Sequence, residues 1–160
     1  MKQGTTLFLK IALILIGIPI LALCIFFVPG AADFAAKLYP DMAYIKYLIY
    51  ILMYATALPF YLALYQAFKL LSYIDKNKAF SELSVKALKV IKYCAVTISI
   101  LYITGMPLFY LIADKDDAPG IIVIGMVIIF ASMVIAVFAA VLQRLLREAI
   151  HIKIENDLTV

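Results

Sequence analysis

The chain has 160 residues, 67% of them hydrophobic and 15% charged, with a net charge of +4 and a mean hydropathy of +1.08. Soluble domains run about 45–50% apolar and about 25% charged, so a water-soluble fold is excluded. Disorder requires low hydrophobicity and collagen a glycine at every third position, which leaves an integral membrane protein.

Four stretches carry no Asp, Glu, Lys, Arg or His: Ile11 to Ala32, Tyr47 to Phe68, Tyr93 to Ala113 and Ala118 to Gln143. Each meets the roughly 20 apolar residues that a transmembrane helix needs. Together they take more than half the chain, so 1–160 reads as one membrane domain, an all-α bundle of four transmembrane helices. Eleven of the fourteen Lys and Arg flank these stretches on one side, and only Lys37, Lys46 and Lys115 lie on the other. Positive charge is retained in the cytoplasm during insertion, so both termini are expected there, in a multi-pass protein of a bacterial cytoplasmic (inner) membrane. The sequence pI of about 9.0 then describes leaflet charge rather than nucleic-acid affinity, and no direct nucleic-acid binding is expected. Lys2 and Lys10 before an apolar run resemble a secretory signal, but the run exceeds the 7–15 residues of a signal core, so helix one is read as retained. Cys24 and Cys94 fall in opposite leaflets, too far apart for a disulfide, and read as small buried apolar residues.

In chain order, helix one is expected from about 7 to 28, capped by Thr5 or Thr6 and stopped by Val28-Pro29-Gly30. The outer loop 29–41 carries Phe34, Leu38 and Tyr39 in a short surface helix ended by Pro40. Asp41 is a natural N-cap for helix two, expected over about 42–75; at 1.5 Å per residue it outruns the ~30 Å hydrocarbon core, so part projects into the cytoplasm. A polar turn, 75–81, follows. Ser81 caps helix three, about 82–113, with Glu82 favoured by the helix dipole and Phe80 and Val85 placed as a hydrophobic staple. Helices two and three thus form a projecting hairpin, with Lys86, Lys89 and Lys92 on one face and Leu83, Ala87, Val90 and Ile91 on another. The second outer loop, 114–119, groups three aspartates but lacks the calcium-loop pattern, so it is a solvated acidic turn. Helix four, about 120–148, leads into an amphipathic tail, 149–160. Pro19, Pro59 and Pro107 interrupt helices one to three, each removing one backbone hydrogen bond, as membrane helices tolerate.

Catalytic chemistry is missing. No ionisable group lies within the four cores where a pump or proton relay would need one, the single histidine is His151 in the tail, and no phosphate loop, nucleophile elbow or Cys-x-x-Cys pair occurs. The expectation is therefore a non-enzymatic protein with no cofactor and no metal site. The polar groups inside the membrane are mainly tyrosines. Tyr47, Tyr50, Tyr54, Tyr61 and Tyr65 share one side of helix two, and Tyr54 and Tyr61 are expected to hydrogen-bond to Thr97, Thr104 or a proline-freed carbonyl. An alternative is a pocket for an apolar compound, lipid or peptide around Tyr54, Pro59 and Tyr61. Ala55, Pro59, Ala63 and Ala67 offer a small-residue strip for close helix approach, and Gly17, Gly125, Ala131 and Ala136 offer one for a homodimer.

The run Leu71-Ser72-Tyr73-Ile74-Asp75-Lys76-Asn77-Lys78-Ala79-Phe80-Ser81, the following Val85-Lys86-Ala87-Leu88-Lys89-Val90-Ile91, and the ending Glu155-Asn156-Asp157-Leu158-Thr159-Val160 resemble the domain of unknown function family 2975, small bacterial membrane proteins with four spans. Genes of that family often lie beside a small Cro/C1-type helix-turn-helix regulator. The resemblance implies that the Asp75 to Lys92 segment and the tail are the family-specific cytoplasmic features. The leading expectation is that they hold such a DNA-binding regulator, with contacts from Phe80, Lys86 and Lys89 and a clamp from Asp157, Leu158, Thr159 and Val160. The alternative is a small transporter or immunity-type protein using the Tyr54, Pro59 and Tyr61 site. In either case membrane lipids surround the helices.

Overall fold

The computed structural model describes residues 3–42 and 44–159; Val160 and Lys2, named above, lie outside them. Among the described residues four helices are long and apolar enough to cross a membrane: Gly4–Leu38, Ile45–Asp75, Glu82–Asp116 and Gly120–Leu158. The first is composite, with α1 (Gln3–Ala22), a π-helical turn (Leu23–Phe27) and α2 (Val28–Leu38) in unbroken succession. It is followed by α3 (Ile45–Asp75), α4 (Glu82–Asp116) and α5 (Gly120–Thr159). At 1.5 Å per residue the 40 residues of α5 reach about 60 Å, twice a ~30 Å hydrocarbon core.

The helices form a row rather than a closed bundle. α1 packs against α3, α3 against α4 and α4 against α5, whereas α1 packs against neither α4 nor α5. Lipid tails are as apolar as leucine, so no hydrophobic force draws the ends of the row together. Only α2 reaches across, packing against both α3 and α4. There Ala32, Ala35, Ile45, Ile49 and Ile112 form the buried core, and the Tyr39 hydroxyl donates to the carbonyl of Leu111.

Helix one does not stop at Val28-Pro29-Gly30. The π turn shifts the hydrogen-bond register, with the Val28 N–H bonded to the Leu23 carbonyl, so Pro29 falls in the first turn of α2, where its missing N–H is tolerated. Residues 29–38, expected in a loop, therefore continue the helix, with Ala32 and Ala35 fully buried. Asp41 is not the cap of α3. A turn closed by the Met42 N–H on the Tyr39 carbonyl occupies that position, and α3 starts at Ile45 after Tyr44.

The α3–α4 connection follows from local chemistry. Asn77 adopts the left-handed conformation at φ 58°, the Lys78 N–H reaches the Tyr73 carbonyl and the Asn77 N–H that of Ile74, which is a Schellman ending with Asn in the glycine position. Ser81 has the extended backbone of an N-cap, but its hydroxyl turns back to donate to the Lys78 carbonyl. Val85 is buried while Phe80 stays 56% exposed, so a staple does not hide the Phe80 ring. The stretch expected as a separate tail is helical, because α5 runs unbroken to Thr159.

Candidate functional site

Two regions hold the residues singled out in the sequence. The first is the end of the molecule rich in lysine. The Lys92 ammonium donates to Gln143 at 3.4 Å, and this register along antiparallel helices sets Glu82 level with about Lys153. The last turn and a half of α5 therefore extends past the start of α4. Ile152, Ile154 and Leu158 are half to four-fifths exposed. Phe80, in the α3–α4 turn at this same end, is likewise exposed, as is Leu83. Lys86, Lys89 and Asp157 are exposed beside them. Thr159 closes the helix, and its side chain, like Val160, lies outside what the structure describes. Among the described residues, no hydrogen bond or ion pair joins Phe80, Lys86 or Lys89 to the tail, so the expected partner-binding residues share an end without forming a built clamp.

The second region is the seam between α1 and α3. The Tyr61 hydroxyl donates to the Gly17 carbonyl at 2.8 Å, and the Tyr54 hydroxyl to the Cys24 carbonyl at 3.0 Å. The second bond has a clear cause. In the π register the next donor after Val28 would be Pro29, which has no N–H, and the Val28 N–H is already given to Leu23. Tyr54 supplies the missing donor, in an environment where an unsatisfied carbonyl is costly. Thr97 and Thr104 take no part, since each bonds the carbonyl four residues back in its own helix.

At the lysine-rich end, the Lys10 ammonium pairs with Asp75 at 3.1 Å, the Thr6 hydroxyl donates to the same carboxylate, and Lys10 lies 5.1 Å from the centroid of the Phe68 ring. Asp75 sits seven positions past Phe68, the last residue of its charge-free stretch, and so outside the spanning segment. The Thr6 hydrogen bond, then Lys10, hold its carboxyl below the usual carboxylate range against partial burial, which pushes the other way. Thr6 is thus a buried helix residue bonded to α3 rather than a cap. At the opposite end Lys46 pairs with Asp33 at 3.0 Å. Sequence reasoning missed the Lys10–Asp75 pair because its partners are 65 residues apart and each reads singly as a juxtamembrane charge.

Between these bonds the seam is open. A groove of about 410 Å³ is lined by Leu21, Cys24, Tyr54, Ala55 and Tyr61 among others, and it adjoins a second part of about 390 Å³ at Leu21 and Tyr61. Pro59 does not line either part, so only two of the three residues expected around an apolar site come together. Cys24 is partly exposed in the groove wall rather than buried, and both cysteines are free thiols. Gly17 faces Leu64 and Tyr61, and Gly125 faces Met106 and Phe109; with Ala136 also buried, three of the four small residues assigned to a dimer contact are used inside the chain. Among the described residues no three His, Cys, Asp or Glu side chains group as a metal site requires.

No solved structure matches the chain. It is similar to the uncharacterized membrane protein YoaS of Bacillus subtilis (strain 168), with 76% identity over 160 residues and all of both chains covered. The family model described as protein of unknown function (DUF2975) matches residues 30–160. With four membrane-length helices and a whole-length relative that is a membrane protein, the chain is a membrane protein belonging to the DUF2975 family.

Proposed function

We propose that this chain is a non-enzymatic protein of the bacterial inner membrane, oriented with its lysine-rich end and both termini in the cytoplasm, that holds a small helix-turn-helix regulator at that end. The orientation rests on the asymmetry of Lys and Arg. The tether rests on one observation above all: α5 continues past the start of α4 with Ile154 and Leu158 exposed outside the charge-free stretch, at the same end of the molecule as the exposed Phe80. Apolar side chains grouped on a surface that lipid does not cover mark an interaction site, and the interleaved Lys86, Lys89, Lys153, Glu155 and Asp157 would give it a polar rim.

The test is a pulldown of the detergent-solubilised protein from its native host, comparing wild type with a variant carrying Phe80→Ala and lacking 157–160. A DNA-binding regulator recovered with wild type alone supports the tether. Its absence from both samples, with the regulator co-expressed, refutes it. A second reading, binding of an apolar compound, lipid or peptide for transport or immunity, is favoured by the groove between Tyr54 and Tyr61. Unchanged transport and resistance in a Tyr54→Phe, Tyr61→Phe double variant would count against that reading.

A further inference from the structure

The groove along the α1–α3 seam has a direction. Its two parts run from Ile25 in the π turn to Leu13 in α1, twelve positions or about 18 Å at helical rise. One leaflet supplies half of a ~30 Å hydrocarbon core, about 15 Å, so the groove matches the reach of a single leaflet's acyl chain. Its wall is mainly apolar, and it opens sideways along half-exposed Ile14, Ile18 and Leu21 to where lipid lies.

The lysine-rich end of this groove is built differently from the other. Lys10 and Lys69 are the first charges beyond the charge-free stretches Ile11 to Ala32 and Tyr47 to Phe68, which sets them at headgroup depth. Each ammonium lies over a ring that lines the groove, Lys10 over Phe68 at 5.1 Å and Lys69 over Tyr65 at 5.0 Å. Such cation–ring contacts hold a flexible lysine head in place. Lys10 is neutralised by Asp75, whereas among the described residues no carboxylate pairs with Lys69. Among the described residues, Lys69 therefore gives the mouth of the groove an uncompensated positive charge, positioned by Tyr65, at the depth of a lipid phosphate.

We propose that the α1–α3 groove holds one acyl chain of an anionic phospholipid from the leaflet at the lysine-rich end, its headgroup phosphate met by Lys69. The proposal rests on the second reading above, that the groove is a binding site, and names its occupant. Zwitterionic lipid would gain the same burial of its chain but less from the net charge at the mouth.

The full-length protein is placed in nanodiscs of phosphatidylcholine and phosphatidylglycerol in equal amounts, extracted into mild detergent, and its retained lipid counted by native mass spectrometry. Wild type is expected to keep one phosphatidylglycerol per chain, preferred about fivefold, the factor that one lysine near an anionic surface supplies. Lys69→Gln abolishes the preference but still retains lipid. Leu21→Trp fills the junction of the two parts and abolishes retention; should that variant misfold by circular dichroism, Ile18→Trp takes its place. Lys78→Gln, an exposed lysine at the same end in the α3–α4 turn, leaves both unchanged. Equal retention of the two lipids by wild type overturns the anionic headgroup and leaves the apolar-groove reading standing. Retention of neither overturns both, and equal effects of Lys69→Gln and Lys78→Gln reduce the preference to diffuse leaflet charge and overturn the site.

Discussion

The α4–α5 seam and the α1–α3 seam are both antiparallel helix contacts in the same apolar surroundings, yet they are held by different means. On α5, Ser132, Ala136, Ala139 and Gln143 are buried at successive steps of four, three and four residues. They face an α4 surface that includes Ser99, whose hydroxyl donates to the Ile129 carbonyl, and buried Ala95 four positions before it. Small side chains let the backbones approach, and van der Waals packing then supplies the attraction that the hydrophobic effect does not supply in lipid. Among the described side chains of α1, by contrast, only Thr6 is buried. That seam is stitched by discrete polar bonds, at Asp75, Gly17 and, in the π turn, Cys24, with a groove left between them. Shape holds one seam, and a few donors and acceptors hold the other. The stitched seam is therefore the one able to admit a guest without losing its closure.

This contrast is broken most severely from the packed side. A Cβ at Gly125 would come 2.8 Å from Met106 Sδ and 3.3 Å from Phe109 Cδ2, so Gly125→Leu overpacks the α4–α5 seam and is expected to cost about 1–3 kcal/mol. Thermal unfolding in detergent measures it, with a lowered midpoint expected and an unchanged one refuting close packing there.

Tyr54→Phe comes next, at about 1–3 kcal/mol, because it leaves the Cys24 carbonyl with no donor. Tyr61→Phe is expected to cost about 0.5–1.5 kcal/mol, since Gly17 lies in regular α-helix and keeps its backbone donor. Pro29→Ala sharpens the point: it restores an N–H in the π register, so the cost of Tyr54→Phe should shrink in that background. A double-mutant cycle with no coupling would show that Pro29 does not create the need for Tyr54.

The smallest effect is local. Asp75→Asn is expected to raise hydrogen exchange over residues 5–12 of α1 and leave α4 and α5 unchanged. The same clamp carries a pH signature. Because the Asp75 carboxyl is held below its usual range in the folded protein by Thr6 and Lys10, its stabilisation is complete above the unfolded value of about 3.9. It is lost as pH falls through the lower folded value. Protection of residues 5–12 should therefore hold from neutrality down to about pH 4 and decline below; a decline beginning near neutrality would assign the clamp to another group.

How much of this was legible in the sequence differs residue by residue. The polar turn and Ser81 announced the α3–α4 connection because an extended cap is a preference of single residues, whereas the left-handed Asn77 that ends α3 was not singled out in it. The Tyr54 and Tyr61 side of helix two was visible as a periodic stripe, and a proline-freed carbonyl was among the expected acceptors, although Thr97 and Thr104 were weighed equally. Pro29 misled, because proline after an apolar run ordinarily ends a helix. Only the register change at Leu23–Phe27, together with a donor from another helix, lets the chain continue.

By itself the sequence determined the four apolar helices, because a bilayer leaves a backbone no other way to satisfy its hydrogen bonds over those charge-free lengths. It also determined the turns where local conformational preference decides. Tertiary structure alone decided that the helices stand in an open row, that Lys10 meets Asp75, and that the groove lies between α1 and α3 with Lys69 at its mouth. Those features depend on which helix lies beside which. In lipid, where every apolar face is equally well covered, that choice is made by the fit of small residues and by a few long-range polar bonds.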